Sequence, residues 1–260
     1  MPYEFIQLRK DGPVTTIVLN RPEVMNALHA AAQFELDAAL DAFADDPDQW
    51  VAVITGAGDR AFCSGGDLKA LAADGARNRP AKGFGGLTSR FDLEKPLIAA
   101  VNGVAYGGGF EAALACDIIL ASETATFALP EPRQGLAAFG GGVHRLTRDI
   151  GPKRAMGMIL TARAVSAAEG LRLGFVTEVT PAAELLPTAM RWAEEICSLS
   201  PMAVRASKDI VYRGLDEPSL EAAMKGQRAY PAVRALIASG DYREGPRAFA
   251  EKRAPVWKGR

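Results

Sequence analysis

Lys95–Ser122 reads KPLIAAVNGVAYGGGFEAALACDIILAS, and its punctuation decides the architecture. Leu97–Val101 is a short continuous apolar run, as in a buried strand, and Asn102-Gly103 closes it with a turn. After Gly107-Gly108-Gly109, residues Phe110 to Cys116 are predicted helical, and Ile118–Leu120 is a second buried strand. Strand, glycine turn, helix and strand in that order place the chain in the α/β class. The three glycines remove side chains where a ligand can approach the main chain, and they fall where first-turn N–H groups have no helical partner. Such groups suit an anionic oxygen, although a plain turn before a core helix would look the same.

Working outward, Val14–Leu19 (VTTIVL) is a β-branched strand ended by Asn20-Arg21-Pro22, and Val51–Thr55 is another, ended by Gly56. Residues 30 to 44 place Leu36, Leu40 and Phe43 at i, i+4, i+7, which predicts an amphipathic helix stopped by Asp46-Pro47. VAVITG and IAAVNG echo one another faintly. A Gly-, Arg- and Pro-bearing stretch from Ala73 to Ser89 reads as a long mobile connection. Beyond about residue 182 helix follows helix, and Ser200-Pro201 is a helix entry with serine as cap and proline in the first turn. The chain therefore divides into a strand-and-helix body, 1–197, and a helical tail, 198–260.

Composition narrows function. Lys+Arg number 30 against 31 Asp+Glu, a net charge of −1, so nothing draws the chain as a whole to nucleic acid or to an anionic membrane. The start lacks the basic end and apolar run of a signal peptide, and no run of about 18 apolar residues predicts a membrane span. Three cysteines (Cys63, Cys116, Cys197) without a close pair suit a reducing cytoplasm. Two distant histidines, His29 and His144, make a zinc site improbable.

Two further segments carry candidate chemistry. Ala61–Lys69 (AFCSGGDLK) is a second glycine pair, before a predicted helix at Leu68 to Ala73, and could pair with the triple glycine as an oxyanion hole. Glu131 lies between Pro130 and Pro132, which predicts an extended, positioned carboxylate, although a solvated loop glutamate is the commoner explanation.

In order, NRPEVMNAL (Asn20–Leu28), VITGAGDRAFCSGGDLK (Val53–Lys69), the Lys95–Ser122 stretch, FALPEPRQG (Phe127–Gly135) and FAEKRAPVWKGR (Phe249–Arg260) resemble the enoyl-CoA hydratase/isomerase (crotonase) superfamily. The likeness covers nearly the whole chain. It is greatest to enoyl-CoA hydratase and carnitinyl-CoA dehydratase members, in GGGFE and the final AEKR-x-PVWKGR. It implies a crotonase-like spiral of ββα turns with a C-terminal helical region that builds trimers, often paired into hexamers. It implies that the N–H groups of Gly66 and Gly108 hold a thioester oxygen, and that Glu111 and Glu131 are the two hydratase carboxyls. Met25, Ala27, Ser64, Gly66, Asp67, Leu68 and Lys69 would line the coenzyme A site, and Phe249 and Lys252 would reach coenzyme A on a neighbouring subunit. No metal or redox cofactor is implied, since coenzyme A arrives as part of the substrate.

The chemistry of those residue types agrees. Adding water across a conjugated thioester drives charge onto the carbonyl oxygen, which preorganised N–H donors stabilise. Water must be activated at Cβ while a proton reaches Cα, work for two carboxyls. The family's hydratases often carry Pro-Gly after the Pro-Glu motif; here Ala138-Phe139 stands there, which reshapes the expected acyl pocket. The Ala73–Arg90 loop, with Arg77, Arg79, Lys82 and Arg90, is expected to border the acyl pocket or coenzyme A entrance and to order on ligand binding. His144 is expected to serve packing or the surface. Rival readings are a dinucleotide-binding dehydrogenase, from Gly56-x-Gly58-x-x-Ala61, a non-catalytic RNA-binding member of the fold, and a double-bond isomerase relying on Glu131 alone.

Overall fold

The computed structural model describes residues 3–70 and 78–260. Among the described residues, ten strands are β1 (Ile6–Asp11), β2 (Val14–Leu19), β3 (Val51–Gly56), β4 (Ala61–Cys63), β5 (Leu97–Val101), β6 (Val104–Tyr106), β7 (Ile118–Ser122), β8 (Thr126–Ala128), β9 (Val165–Ser166) and β10 (Glu178–Thr180). They form two sheets, ordered β1-β2-β3-β5-β7-β10 and β4-β6-β8-β9. From β2 onward the first sheet is parallel, with β1 antiparallel at its edge. In the second, β4, β6 and β8 run parallel.

Three successive strand pairs, β3–β4, β5–β6 and β7–β8, each give one strand to each sheet, so the chain winds as a spiral. VAVITG and IAAVNG are equivalent strands of neighbouring turns, with Ala52 beside Leu97 and Thr55 beside Ala100. Asn102 ties these turns: its side-chain oxygen accepts from Gly56 N at 3.1 Å and its amide donates to Gly58 O at 2.8 Å. Gly56 leads not to a helix but to β4, which removes the dinucleotide fingerprint.

The helices are α1 (Ala30–Asp45), α2 (Gly108–Leu114), α3 (Gly142–Ile150), α4 (Pro152–Ile159), α5 (Ala167–Leu173), α6 (Leu185–Cys197), α7 (Pro201–Asp216), α8 (Leu220–Gly226), α9 (Pro231–Ala238) and α10 (Asp241–Ala250). As the spacing predicts, Leu36, Leu40 and Phe43 bury one face of α1 in the main core with Ile17, Ile54 and Phe62. Lys95 holds the end of α1, donating to Phe43 O at 2.7 Å and Asp46 O at 2.6 Å, where a cation suits the carbonyl end of a helix. On the other face of the large sheet, Val51, Val53, Ile98 and Leu120 pack against Leu185, Ala189 and Ala193 of α6.

Beyond α6 the chain is helical, and the Ser200 hydroxyl accepts from Ala203 N at the start of α7, with Pro201 in the first turn. Asp117, just before β7, fastens α7 to the body: its carboxylate accepts from Lys208 Nζ at 2.8 Å and Tyr212 Oη at 3.0 Å. Two expectations are corrected. Glu131 is not in extended backbone; it opens a 3-10 turn, Glu131–Gln134, in which Pro132 leaves no needed N–H missing and Gly135 at φ 69° ends the turn. The described part of the loop before Arg90 is pinned rather than mobile. Arg90, 8% exposed, donates to Gly86 O (2.7 Å), Asp37 Oδ1 (2.5 Å) and Asp41 Oδ1 (2.6 Å), and Lys82 pairs with Asp41. Those two cations therefore serve packing rather than ligand. Arg77 and most of the helix expected at Leu68 to Ala73 lie outside the described residues, of which 68–70 are helical.

Candidate active site

One cleft gathers the candidate chemistry. Ser64, Gly66, Asp67, Leu68, Gly108, Glu111 and Glu131 all line it, joined by the unforeseen His29, Gln33, Phe84 and Gln134. Met25, Ala27 and Lys69 sit behind or beside this wall. Met25 O accepts from Ser64 N at 3.0 Å, and Ala27 O accepts from Arg21 Nη1 at 2.5 Å. Phe249, 87% exposed, and Lys252, at φ 55°, lie on the helical tail away from the cleft of their own chain.

The two glycine turns are built against each other. Leu28 and Gly66 form a parallel bridge, in which Leu28 N donates to Gly65 O at 2.9 Å and Asp67 N to Leu28 O at 3.2 Å. Gly65 has φ 104°, and a Cβ there would lie 2.9 Å from Tyr106 O and 3.2 Å from Gly108 N. A Cβ on Gly109 would lie 2.0 Å from Cys63 O, so the backbones touch and neither position admits a side chain. Cys63 Sγ accepts from Gly65 N at 3.4 Å and holds the turn; burial pushes its thiol up to about 12, so it stays neutral. Among the described residues, the N–H groups of Gly66 and Gly108 have no acceptor, although both face the cleft.

Glu111 stands in the first turn of α2, 5% exposed, and its Oε1 accepts from Gly142 N at 3.0 Å. Burial raises its pKa, while the N–H groups of Gly142 and Gly140 work the other way. Both glycines are required: a Cβ at either would lie within 2.9 Å of the Glu111 side chain. Here the sequence departs from the usual pattern, yet Gly140-Gly141-Gly142 wraps the carboxyl directly. Glu131 Oε2 is buried without a hydrogen-bond partner among the described residues, and Oε1 lies 3.2 Å from where a Gly107 Cβ would be. Burial raises its pKa to about 7, its own N–H opposes this, and the charge of Glu111 adds to it. Two carboxyls thus share one field, one held by donors and the other with an oxygen left unpartnered.

Further residues position these groups. Asn26, 1% exposed, accepts from Arg21 N at 2.9 Å and donates to Ala61 O at 2.7 Å, joining the NRPEVMNAL turn to β4. Arg21 pairs with Asp67 at 3.1 Å, so this acid is spoken for rather than free for catalysis. Phe139, 74% exposed, and Arg79 both border the cleft. His144 is exposed and outside the cleft.

Two backbone donors with two desolvated carboxyls beside them define a site for chemistry next to an activated carbonyl. The chain belongs to the enoyl-CoA hydratase/isomerase family, whose model matches residues 9–260. It is 46% identical to the carnitinyl-CoA dehydratase of Proteus mirabilis (strain HI4320), over 98% of both chains. To the carnitinyl-CoA dehydratase of Salmonella typhi it is 45% identical over 99% of both. The crystal structure of enoyl-CoA hydratase from Bacillus anthracis matches with TM-score 0.90 at 35% identity, covering 99% of this chain and 100% of that one. That of carnitinyl-CoA hydratase from Mycobacterium avium matches with TM-score 0.77 at 39% identity, covering 98% and 99%.

Proposed function

We propose that the protein is an enoyl-CoA hydratase, adding water reversibly across the 2,3 double bond of an enoyl-CoA thioester. The observation that carries this reading is the desolvated Glu131 carboxyl, its Oε2 without a partner among the described residues, lining the same cleft as Glu111 and the two unpaired N–H groups. In the hydration direction, ionised Glu111 accepts a proton from water as the oxygen attacks Cβ. The π electrons move toward the thioester oxygen, held by Gly66 and Gly108. Protonated Glu131 then delivers a proton to Cα, which its raised pKa equips it to do. Read backward, this dehydrates a 3-hydroxyacyl-CoA, the direction named for the Proteus and Salmonella relatives, so a carnitinyl-type dehydration uses the same groups. An isomerase needs a single carboxyl; the donors holding Glu111 favour hydration.

No cofactor beyond the substrate's coenzyme A is assigned. The free cysteines suit a reducing compartment, and we assign the cytoplasm. Among the described residues no helix is long and apolar enough to cross a membrane. A trimer or dimer of trimers belongs to the same reading, supported by the exposed Val211, Leu215, Leu220 and Met224 on α7 and α8. Lys252 would then meet a coenzyme A phosphate across the interface, with Phe249 beside the nucleotide. Lys252→Ala should weaken coenzyme A binding several-fold with kcat little changed; a fully active monomer in sedimentation at micromolar concentration would remove this arrangement. Hydration itself is tested with a panel of enoyl- and 3-hydroxyacyl-CoA thioesters followed at the conjugated-thioester absorbance, where loss of absorbance on enoyl substrates is expected and its absence across the panel rejects the reading.

A further inference from the structure

We propose that Phe84 is the residue that sets acyl size, restricting this site to short enoyl groups. The inference rests on the hydratase reading and adds to it the class of substrate. A Cβ placed on Gly108 would lie 2.8, 2.8 and 2.9 Å from Cε2, Cζ and Cε1 of Phe84, and one placed on Gly66 would lie 4.0 Å from Cε2. The outer edge of the ring therefore stands over Gly108 and lies beside Gly66, the two residues whose N–H groups are the oxyanion donors. A thioester oxygen seated between those N–H groups puts the first acyl carbons beside this ring, and a longer chain must displace it or turn away.

The turn that carries the ring is held flush on α1. Gly85 (φ 61°) and Gly86 (φ 63°) follow Phe84, and a Cβ would lie 2.9 Å from Leu36 Cδ2 at the first and 2.3 Å from Asp37 Cβ at the second. Phe84 N donates to Thr88 Oγ1 at 3.0 Å, and Gly85 N to Gln33 Oε1 at 3.3 Å. Gln33 in turn donates to Leu28 O at 3.3 Å, the residue that bridges to Gly66. Arg90 closes the clamp on Gly86 O. The wall of the acyl pocket and one oxyanion donor are thus referenced to the same glutamine, which fixes their separation. A pocket bounded by an aromatic edge on a fixed turn discriminates by size, because each methylene that fits or does not is worth about 10-fold or more.

The test compares wild type with Phe84→Ala and the milder Phe84→Leu on four-carbon and ten-carbon substrates. Two readouts are taken: hydration kcat and KM, and Kd for the saturated acyl-CoA of each length. Wild type should favour the four-carbon hydration substrate by kcat/KM. Phe84→Ala should raise the ten-carbon to four-carbon ratio at least about 10-fold through KM and Kd, and Phe84→Leu should move the ratio the same way by less. An unchanged Kd ratio in a folded variant overturns the proposal; should Phe84→Ala not fold, an unchanged ratio in Phe84→Leu does so. If no enoyl-CoA is hydrated at all, the hydratase reading fails, while the Kd ratio still decides the role of Phe84.

Discussion

Replacing Glu131 by glutamine is expected to slow hydration by about 10²–10⁴ while leaving coenzyme A binding nearly intact, because an amide cannot deliver the Cα proton. The substitution keeps shape and volume in a pocket where one carboxyl oxygen has no partner, so little else changes. The same carboxyl predicts a pH dependence with a definite sign. Burial raises its pKa from 4.5 to about 7. Hydration uses the protonated form, so kcat/KM should fall as pH rises through about 7, and that limb should vanish in Glu131→Gln. The acid limb belongs to Glu111, whose pKa is also raised and which must be ionised to activate water. For stability the sign is the same as on the alkaline limb: the buried acid favours the fold below pH 4.5, and that contribution is lost as pH rises through about 7. Wild-type hydration by Glu131→Gln would contradict the two-carboxyl mechanism.

Replacing Arg90 by alanine should cost on the order of 3 kcal/mol, the lower end for breaking a buried pair, since Asp41 remains 46% exposed and Asp37 20%. It removes the partner of Gly86 O and leaves both aspartates without their guanidinium. For a chain of this size the melting temperature should drop by roughly 6–12 °C. Arg90→Lys keeps the charge but loses the planar fork, so it should recover only part of the loss. A melting temperature unchanged in Arg90→Ala would show that the clamp contributes nothing, and would remove the reason for treating the Phe84 turn as fixed.

The contrast between Arg90 and the glycine helix shows what a sequence displays. Leu97–Val101 and the face of α1 were legible because apolar runs and helical spacing are local signals of burial. The triple glycine was legible because close backbone approach demands glycine, and Gly109 against Cys63 O meets that demand. Arg90 was not legible, since its partners Asp37 and Asp41 lie 53 and 49 positions upstream and only the fold brings them together. Three glycines around Phe84 read as mobility, whereas their left-handed backbone lets the turn lie flat on α1. Proline on both sides of Glu131 suggested extended chain, yet proline is equally at home opening a 3-10 turn. Which residues hold Glu111 also depended on tertiary contact, because Gly140 and Gly142 come from the segment before α3, about thirty positions away.

The most direct test of the hydratase mechanism is to incubate the wild-type protein with crotonyl-CoA in water enriched in oxygen-18 and analyse the product by mass spectrometry. Oxygen-18 incorporated at C3 of 3-hydroxybutyryl-CoA, in wild type and not in Glu131→Gln on the same timescale, is the predicted result. Rapid double-bond migration to an unlabelled 3-enoyl-CoA, with no hydroxyacyl product, would contradict it and leave an isomerase in its place.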